Sequence, residues 1–171
     1  MLVFALLAAG CGGGEDSGSD ASESTAANGA GELGGAASVT KAEEFGSPVS
    51  GAQAQGPEAA LQGYFDARAE GDGAKACSYM SEQLRAFYDR IYKEGGCAGF
   101  VEKSAERLSA NERAAQAEVK VESVRLEGDE GFVVYTDAEG SQQAKPVERE
   151  GGAWKVGSQL VELLERARKK Q

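Results

Sequence analysis

The stretch GPEAALQGYFDARAEGDGAKACSYMSEQL, residues 56–84, predicts two helices joined by a tight turn. Its first half has apolar side chains at the three- and four-residue spacing that forms one face of a helix, namely Leu61, Tyr64 and Phe65. Pro57 suits the first position of this helix, where its missing N–H costs nothing, and Gly56 suits the cap. The remaining elements can be arranged around this helix.

The turn after the first helix has residues suited to ending one helix and starting another. Gly71 can adopt the left-handed conformation that ends a helix. Asp72 can cap a short second helix that continues to Met80. Ser81 can cap a third helix over residues 82–94, which Gly95 and Gly96 would end.

A change of hydrophobic period after about residue 117 indicates that strands follow the helices. A further helix to about residue 108 precedes it, and four strands are expected at about 117–126, 132–136, 143–150 and 153–156. A bulge near Ser123 would restore the facing of the first strand, and Pro146 marks an edge or bulge in the third. The predicted class is α+β, with helices covering one face of a curved antiparallel sheet.

The N-terminus resembles a bacterial lipoprotein signal. Residues 1–10 form an apolar run too short to span a bilayer, and Leu7-Ala8-Ala9-Gly10-Cys11 resembles a lipobox. Such a sequence predicts diacylation of Cys11, which then becomes the mature N-terminus. The expected location is the cell membrane, with the lipid-anchored chain on its extracytoplasmic face.

The segment from Cys11 to residue 56 is predicted to be a disordered tether. It is rich in Gly, Ser and acids, and its few large apolar residues are isolated in sequence. As a flexible coil it would reach roughly 35–40 Å. The predicted domain then occupies residues 57–157, followed by a short C-terminal helix over 158–171.

Composition excludes several classes of function. The formal net charge is −10, which argues against a nucleic-acid partner, because phosphate contacts need clustered Lys and Arg. The chain has no His, which excludes His-based triads and His general bases. No metal or other cofactor is expected.

Three cysteines would leave one thiol over in any pairing. Lipidation of Cys11 would remove one and leave Cys77 and Cys97 for a disulfide, which an extracytoplasmic environment permits. Two free buried thiols are the alternative, and a zinc site is a poor one, because structural zinc normally takes four Cys or His ligands.

A resemblance to a known family rests on three short stretches and on the order of elements. These are Tyr64–Asp72 (YFDARAEGD), the Cys that follows it, and Gly152–Val156 (GAWKV). Over about residues 57–157 the chain resembles the nuclear transport factor two-like superfamily, especially its small lipoproteins in Gram-positive bacteria. The resemblance implies a cone with a pocket at its open end, in a family that includes scaffolds, partner modules and enzymes.

A ketosteroid-isomerase-like enzyme on this fold would need a carboxylate base and an oxyanion donor inside the cone. The candidate bases are Asp66 and Asp89, and the candidate donors are Tyr64, Tyr79, Tyr88 and Tyr135. Core packing is the alternative for Tyr64, and a solvated helix face for Asp66. Phe132 and Trp154 join the four tyrosines as candidate pocket-lining residues.

Three functional hypotheses follow from these observations. The first is a lipid-anchored extracytoplasmic domain that binds an envelope protein or a small apolar ligand. The second is an isomerase- or cyclase-like enzyme that uses a pocket carboxylate and a Tyr. The third is a passive structural surface protein, which a cone filled by its own aromatic side chains would favour.

Overall fold

The computed structural model describes residues 39–158, which fold into six helices and one sheet of five strands. The elements in chain order are α1 (Val39–Glu43), β1 (Ser47–Val49), α2 (Ala52–Glu70), α3 (Gly73–Tyr79), α4 (Glu82–Ile91), α5 (Gly96–Glu106), α6 (Ala110–Ala117), β2 (Lys120–Glu127), β3 (Glu130–Thr136), β4 (Gln142–Glu150) and β5 (Ala153–Val156). The predicted α+β class is confirmed. The signal peptide, Cys11 and residues 159–171 of the predicted last helix lie outside the described residues.

The sheet is an antiparallel meander in the order β1-β2-β3-β4-β5. The register between β2 and β3 shifts between Val121 and Ser123, which confirms the predicted bulge. A tight turn at Gly151-Gly152 joins β4 to β5, and both glycines have positive φ. Pro146 lies one residue beyond the paired part of β4 and β5, where its missing N–H breaks no ladder bond to β5.

The main core lies between one face of the sheet and the helices from α2 to α5. Leu61 of α2 and Val133 of β3 are completely buried in it. The apolar stripe predicted for the first helix therefore faces the sheet, and burying such a stripe is what stabilises an amphipathic helix in a protein.

The opposite face of the sheet is covered by residues that the sequence assigned to the tether. Ala42 of α1 and Phe45 pack against Phe132 and Val134 of β3, and the rings of Phe45 and Phe132 meet edge to face at 5.1 Å. The prediction that the chain is disordered up to residue 56 is therefore wrong for residues 39–56. The large apolar residues of this segment are isolated in sequence, yet Phe45 packs on Phe132 and Val49 pairs with Val124, each more than 70 residues away.

The start of α2 also differs from the prediction. The helix begins at Ala52, so Pro57 lies inside it, fully buried, where it removes one backbone hydrogen bond. Gly56 is not a cap either. A Cβ at this position would collide with the indole ring of Trp154, so glycine here permits the close approach of β5 to α2.

Two of the predicted caps are confirmed. The Asp72 carboxylate accepts a hydrogen bond from the backbone N–H of Lys75 at 2.9 Å, and the Ser81 hydroxyl accepts one from that of Leu84 at 3.3 Å. Gly71 has φ 75°, the left-handed conformation expected of it. The third helix, however, ends at Ile91 rather than at residue 94, because Tyr92 already has an extended backbone. Gly95, with φ 86°, is the residue that precedes α5.

Candidate functional site

A disulfide joins Cys77 of α3 to Cys97 in the first turn of α5, with a Cα–Cα distance of 6.2 Å. Both cysteines are buried, and the thioether sulfur of Met80 lies 3.5 Å from the sulfur of Cys97. The predicted pairing of Cys77 with Cys97 is therefore confirmed, and the bridge links α3 to the start of α5 through the core.

Two candidate pocket residues meet on the helix-facing side of the sheet. Tyr64 of α2 and Tyr135 of β3 both contact Phe65, with ring centroids 5.2 and 5.3 Å apart. Tyr64 is 2% exposed and Tyr135 is 5% exposed, so each ring is enclosed by neighbouring side chains. The three rings form one continuous aromatic row across the interior.

Two cations flank Tyr64, and sequence reasoning did not single out either of them. The guanidinium carbon of Arg68 lies 5.4 Å from the ring centroid, and one of its N–H groups donates to the Tyr64 hydroxyl at 3.2 Å. The ammonium nitrogen of Lys145 lies 5.5 Å from the same centroid, and Lys145 is 1% exposed. Such cation–π contacts stabilise by about 0.5–2 kcal/mol. The inward orientation of Lys145 could have been predicted from its neighbour Val147. Residues two apart on a strand share a face, so Lys145 points to the same side of the sheet as this apolar residue.

Tyr79 and Trp154 lie at a different place, along one side of α2. A Cβ at Gly63 would collide with the ring of Tyr79, just as one at Gly56 would collide with Trp154. The two glycines are seven residues apart and so share a face of the helix. Both aromatic side chains are half-buried, so they border the surface rather than the closed aromatic row.

The last two candidate aromatic residues, Tyr88 and Phe132, lie apart from the aromatic row and from each other. Tyr88 of α4 stacks on Phe100 of α5 with centroids 4.5 Å apart. Phe132 faces the opposite side of the sheet from Tyr135, because residues three apart on a strand point in opposite directions. The prediction that Phe132 lines the same cavity as Tyr135 is therefore wrong.

The two candidate bases make hydrogen bonds that hold helices in place. Asp66 accepts a hydrogen bond at 2.8 Å from the Gln62 amide, which also donates to the carbonyl of Ala117, the last residue of α6. Asp89 is exposed and accepts the backbone N–H of Cys97 at 2.8 Å. Neither contact joins a carboxylate to Tyr64 or Tyr135.

A cluster of acidic side chains lies where β4 meets the start of α4. The Glu150 carboxylate accepts the backbone N–H of Glu82 with both oxygens, at 2.9 and 3.1 Å. Burial raises the pKa of Glu148, a hydrogen bond from Ser81 lowers it, and the nearby carboxylates of Glu150 and Glu130 raise it further. The surroundings of Glu148 thus disfavour its ionised form, whereas the Glu150 carboxylate caps the N-terminus of α4.

Comparisons with family models, with curated proteins and with solved structures gave no match. Within residues 39–158, no group of three or more His, Cys, Asp or Glu side chains is arranged to hold a metal ion. None of the helices in this part of the chain combines the length and apolarity needed to cross a membrane.

Proposed function

We propose that this chain is a lipid-anchored, extracytoplasmic domain that binds a protein partner. The observation that carries the proposal is the disulfide between Cys77 and Cys97. It leaves Cys11 as the one cysteine without a disulfide partner in the chain, directly after the lipobox-like Leu7-Ala8-Ala9-Gly10. Disulfides persist outside the cytoplasm, so both features agree on the location.

The arrangement of helices and sheet supports a nuclear transport factor two-like fold for this domain. Helices precede an antiparallel meander, and α2 packs across one face of the sheet. The open cone of that family stays a proposal. An isomerase-like reaction receives less support, because Asp66 and Asp89 hold helices instead of facing a tyrosine inside the sheet.

The packing of the interior favours a protein partner over a small apolar ligand. Tyr64, Tyr135 and Lys145 are each exposed by 5% or less, so a ligand would have to displace packed side chains to reach them. Tyr79 and Trp154 are half-buried and border the surface. Tyr and Trp are residue types that often dominate the energetics of protein–protein interfaces.

The anchor can be tested by intact-mass analysis of the full chain expressed in a bacterial host, with and without reductant before alkylation. We expect a mature species that begins at diacylated Cys11, in which Cys77 and Cys97 are alkylated only after reduction. An unprocessed chain with three alkylatable thiols would contradict the proposal. A Cys11→Ser variant is the matched control and should stay unlipidated with its disulfide intact.

A passive structural protein is the second candidate, favoured by the aromatic row of Tyr64, Phe65 and Tyr135 that fills part of the interior. A photo-crosslinking residue placed at Tyr79, in cells that produce the lipidated chain, separates the two candidates. A binding domain should give one defined adduct that added unlabelled domain suppresses. The same probe at exposed Glu139 is the control, and no adduct from either position would favour the passive protein.

A further inference from the structure

The free edge of β5, the last strand of the sheet, is covered by the short link between α3 and α4. This connector, Ser78–Glu82, comprises the last two residues of α3, the link itself and the first residue of α4. It runs beside β5 with Met80 aligned to Val156 in a parallel bridge. The backbone N–H of Ser81 donates to the carbonyl of Val156 at 2.9 Å. The Lys155 ammonium donates to the carbonyl of Ser78 at 2.6 Å. An exposed strand edge would be a site for pairing with other chains, so the connector protects it.

The disulfide lies at the start of this connector. Cys77 directly precedes Ser78, and Cys97 holds it to the first turn of α5. Met80, at the centre of the connector, is 1% exposed and contacts the sulfur of Cys97 at 3.5 Å. The bridge therefore fixes both the beginning of the connector and the buried side chain that faces it.

The end of the connector at Glu82 is held by a hydrogen bond at the protein surface. Both oxygens of the Glu150 carboxylate accept the backbone N–H of Glu82, in a solvent-exposed contact. Helix α3 has seven residues, of which Gly73, Ala76 and Cys77 are buried. Met80 and Ser81 are each 1% exposed, so only the Glu82 end of the connector depends on a solvent-exposed hydrogen bond. Exposed hydrogen bonds are among those that open locally before the whole fold does.

We propose that the Cys77–Cys97 disulfide is a redox-sensitive clasp whose reduction releases the connector from β5 and opens this edge of the sheet. The reductant is a dithiol. It transfers two electrons and two protons to the disulfide, yields the two free thiols and becomes a cyclic disulfide itself. This device does not depend on the anchor or on a particular partner.

Hydrogen exchange followed by mass spectrometry of the full chain tests the clasp, with and without excess dithiothreitol under native conditions. Alkylation and intact mass first establish that the bridge has been reduced. We expect amides in residues 78–84 and 153–158 to exchange at least 10-fold faster after reduction, and those in 130–136 of β3 to change less than 3-fold. A uniform increase along the chain, no increase, or a bridge that resists the dithiol would overturn the proposal.

Two variants sharpen this experiment. The double variant Cys77→Ser/Cys97→Ser should reproduce the exchange pattern of the reduced chain without any reductant. The matched control is Glu150→Gln, which weakens the surface hydrogen bond and keeps the disulfide, and its exchange in residues 78–84 should rise less than after reduction. If Glu150→Gln opens β5 as much as reduction does, the disulfide is not the clasp. If the double variant does not fold, the reduced wild-type chain decides the question.

Discussion

The carboxylate of Asp89, at the end of α4, accepts a hydrogen bond from the backbone N–H of Cys97 at 2.8 Å. A side chain of one helix thereby caps the next, at the same residue that carries the disulfide. The contact explains the glycine at position 96, since a Cβ there would collide with the Asp89 carboxylate.

We expect Asp89→Ala to lower the free energy of unfolding by about 1 kcal/mol, because a buried backbone donor loses its cap. Asp89→Asn keeps an acceptor oxygen and should cost less. Glu102→Ala, an exposed acid on α5, is the control and should change stability by less than about 0.5 kcal/mol. Urea unfolding of the three variants measures this, and equal stability of Asp89→Ala and wild type would show that the cap contributes nothing.

Glu148→Gln should raise stability at neutral pH, because the pKa of Glu148 is raised by burial and by Glu150 and Glu130. A raised pKa in the folded state means that ionisation costs stability, so wild-type stability falls as pH rises above 4.5 through the folded-state pKa. The gain from Gln should be below about 1 kcal/mol, since the group is partly exposed, and it should vanish below pH 4.5.

Urea unfolding at low and neutral pH tests the Glu148 prediction, and Glu122→Gln is a control of opposite sign. Lys120 and Thr136 lower the pKa of Glu122, so its carboxylate favours the folded state above pH 4.5 and its replacement should not stabilise. A Glu148→Gln variant that is less stable than wild type at neutral pH would contradict the argument.

Gly56→Ala should destabilise the domain by about 1–3 kcal/mol, because a methyl group there overlaps the Trp154 indole and the packed interface must shift. Trp154 is the one tryptophan of the chain, so its emission reports the displacement directly. Gly56→Ala combined with Trp154→Phe should cost less than the sum of the two single changes. Additive costs would show that the ring and the glycine do not interact.

Phe45→Ala should lower the free energy of unfolding by about 1–2 kcal/mol, less than a fully buried Phe would, because Phe45 is half-buried against Phe132. The neighbouring Glu44→Ala removes an exposed side chain and is the control. If both variants match the wild type in thermal unfolding, residues 39–49 do not belong to the cooperative domain, and the boundary at residue 57 would be restored.

The elements that sequence predicted best are those whose signals are local. Asp72 and Ser81 cap helices because each has a helix N-terminus within three residues, and the Gly151-Gly152 turn needs no distant partner. Helix α6 was missed because none of its residues is buried, although the pairing of Ser109 with Glu112 is a capping box that can be read from sequence.

The parts that sequence could not give depend on distant contacts. Phe45 looks like a lone apolar residue in a polar segment until Phe132 is placed beside it. Among the candidate site residues, Phe132 could have been excluded by strand alternation alone, but the separation of Tyr79 and Trp154 from Tyr64 could not. That separation depends on which face of α2 packs against α3 and β5, since Gly63 lies against Tyr79 and Gly56 against Trp154.

The pairing of Val49 with Val124 has a consequence for how quickly the chain can fold. The contact closes a loop of about 75 residues, whereas the β2–β3, β3–β4 and β4–β5 hairpins close between near neighbours in sequence. Because long loops cost more conformational entropy to close, the hairpins can form early and β1 joins them late. Until then the outer edge of β2 is open to association with other chains, so the slowest-forming strand is also the one that limits self-association during refolding.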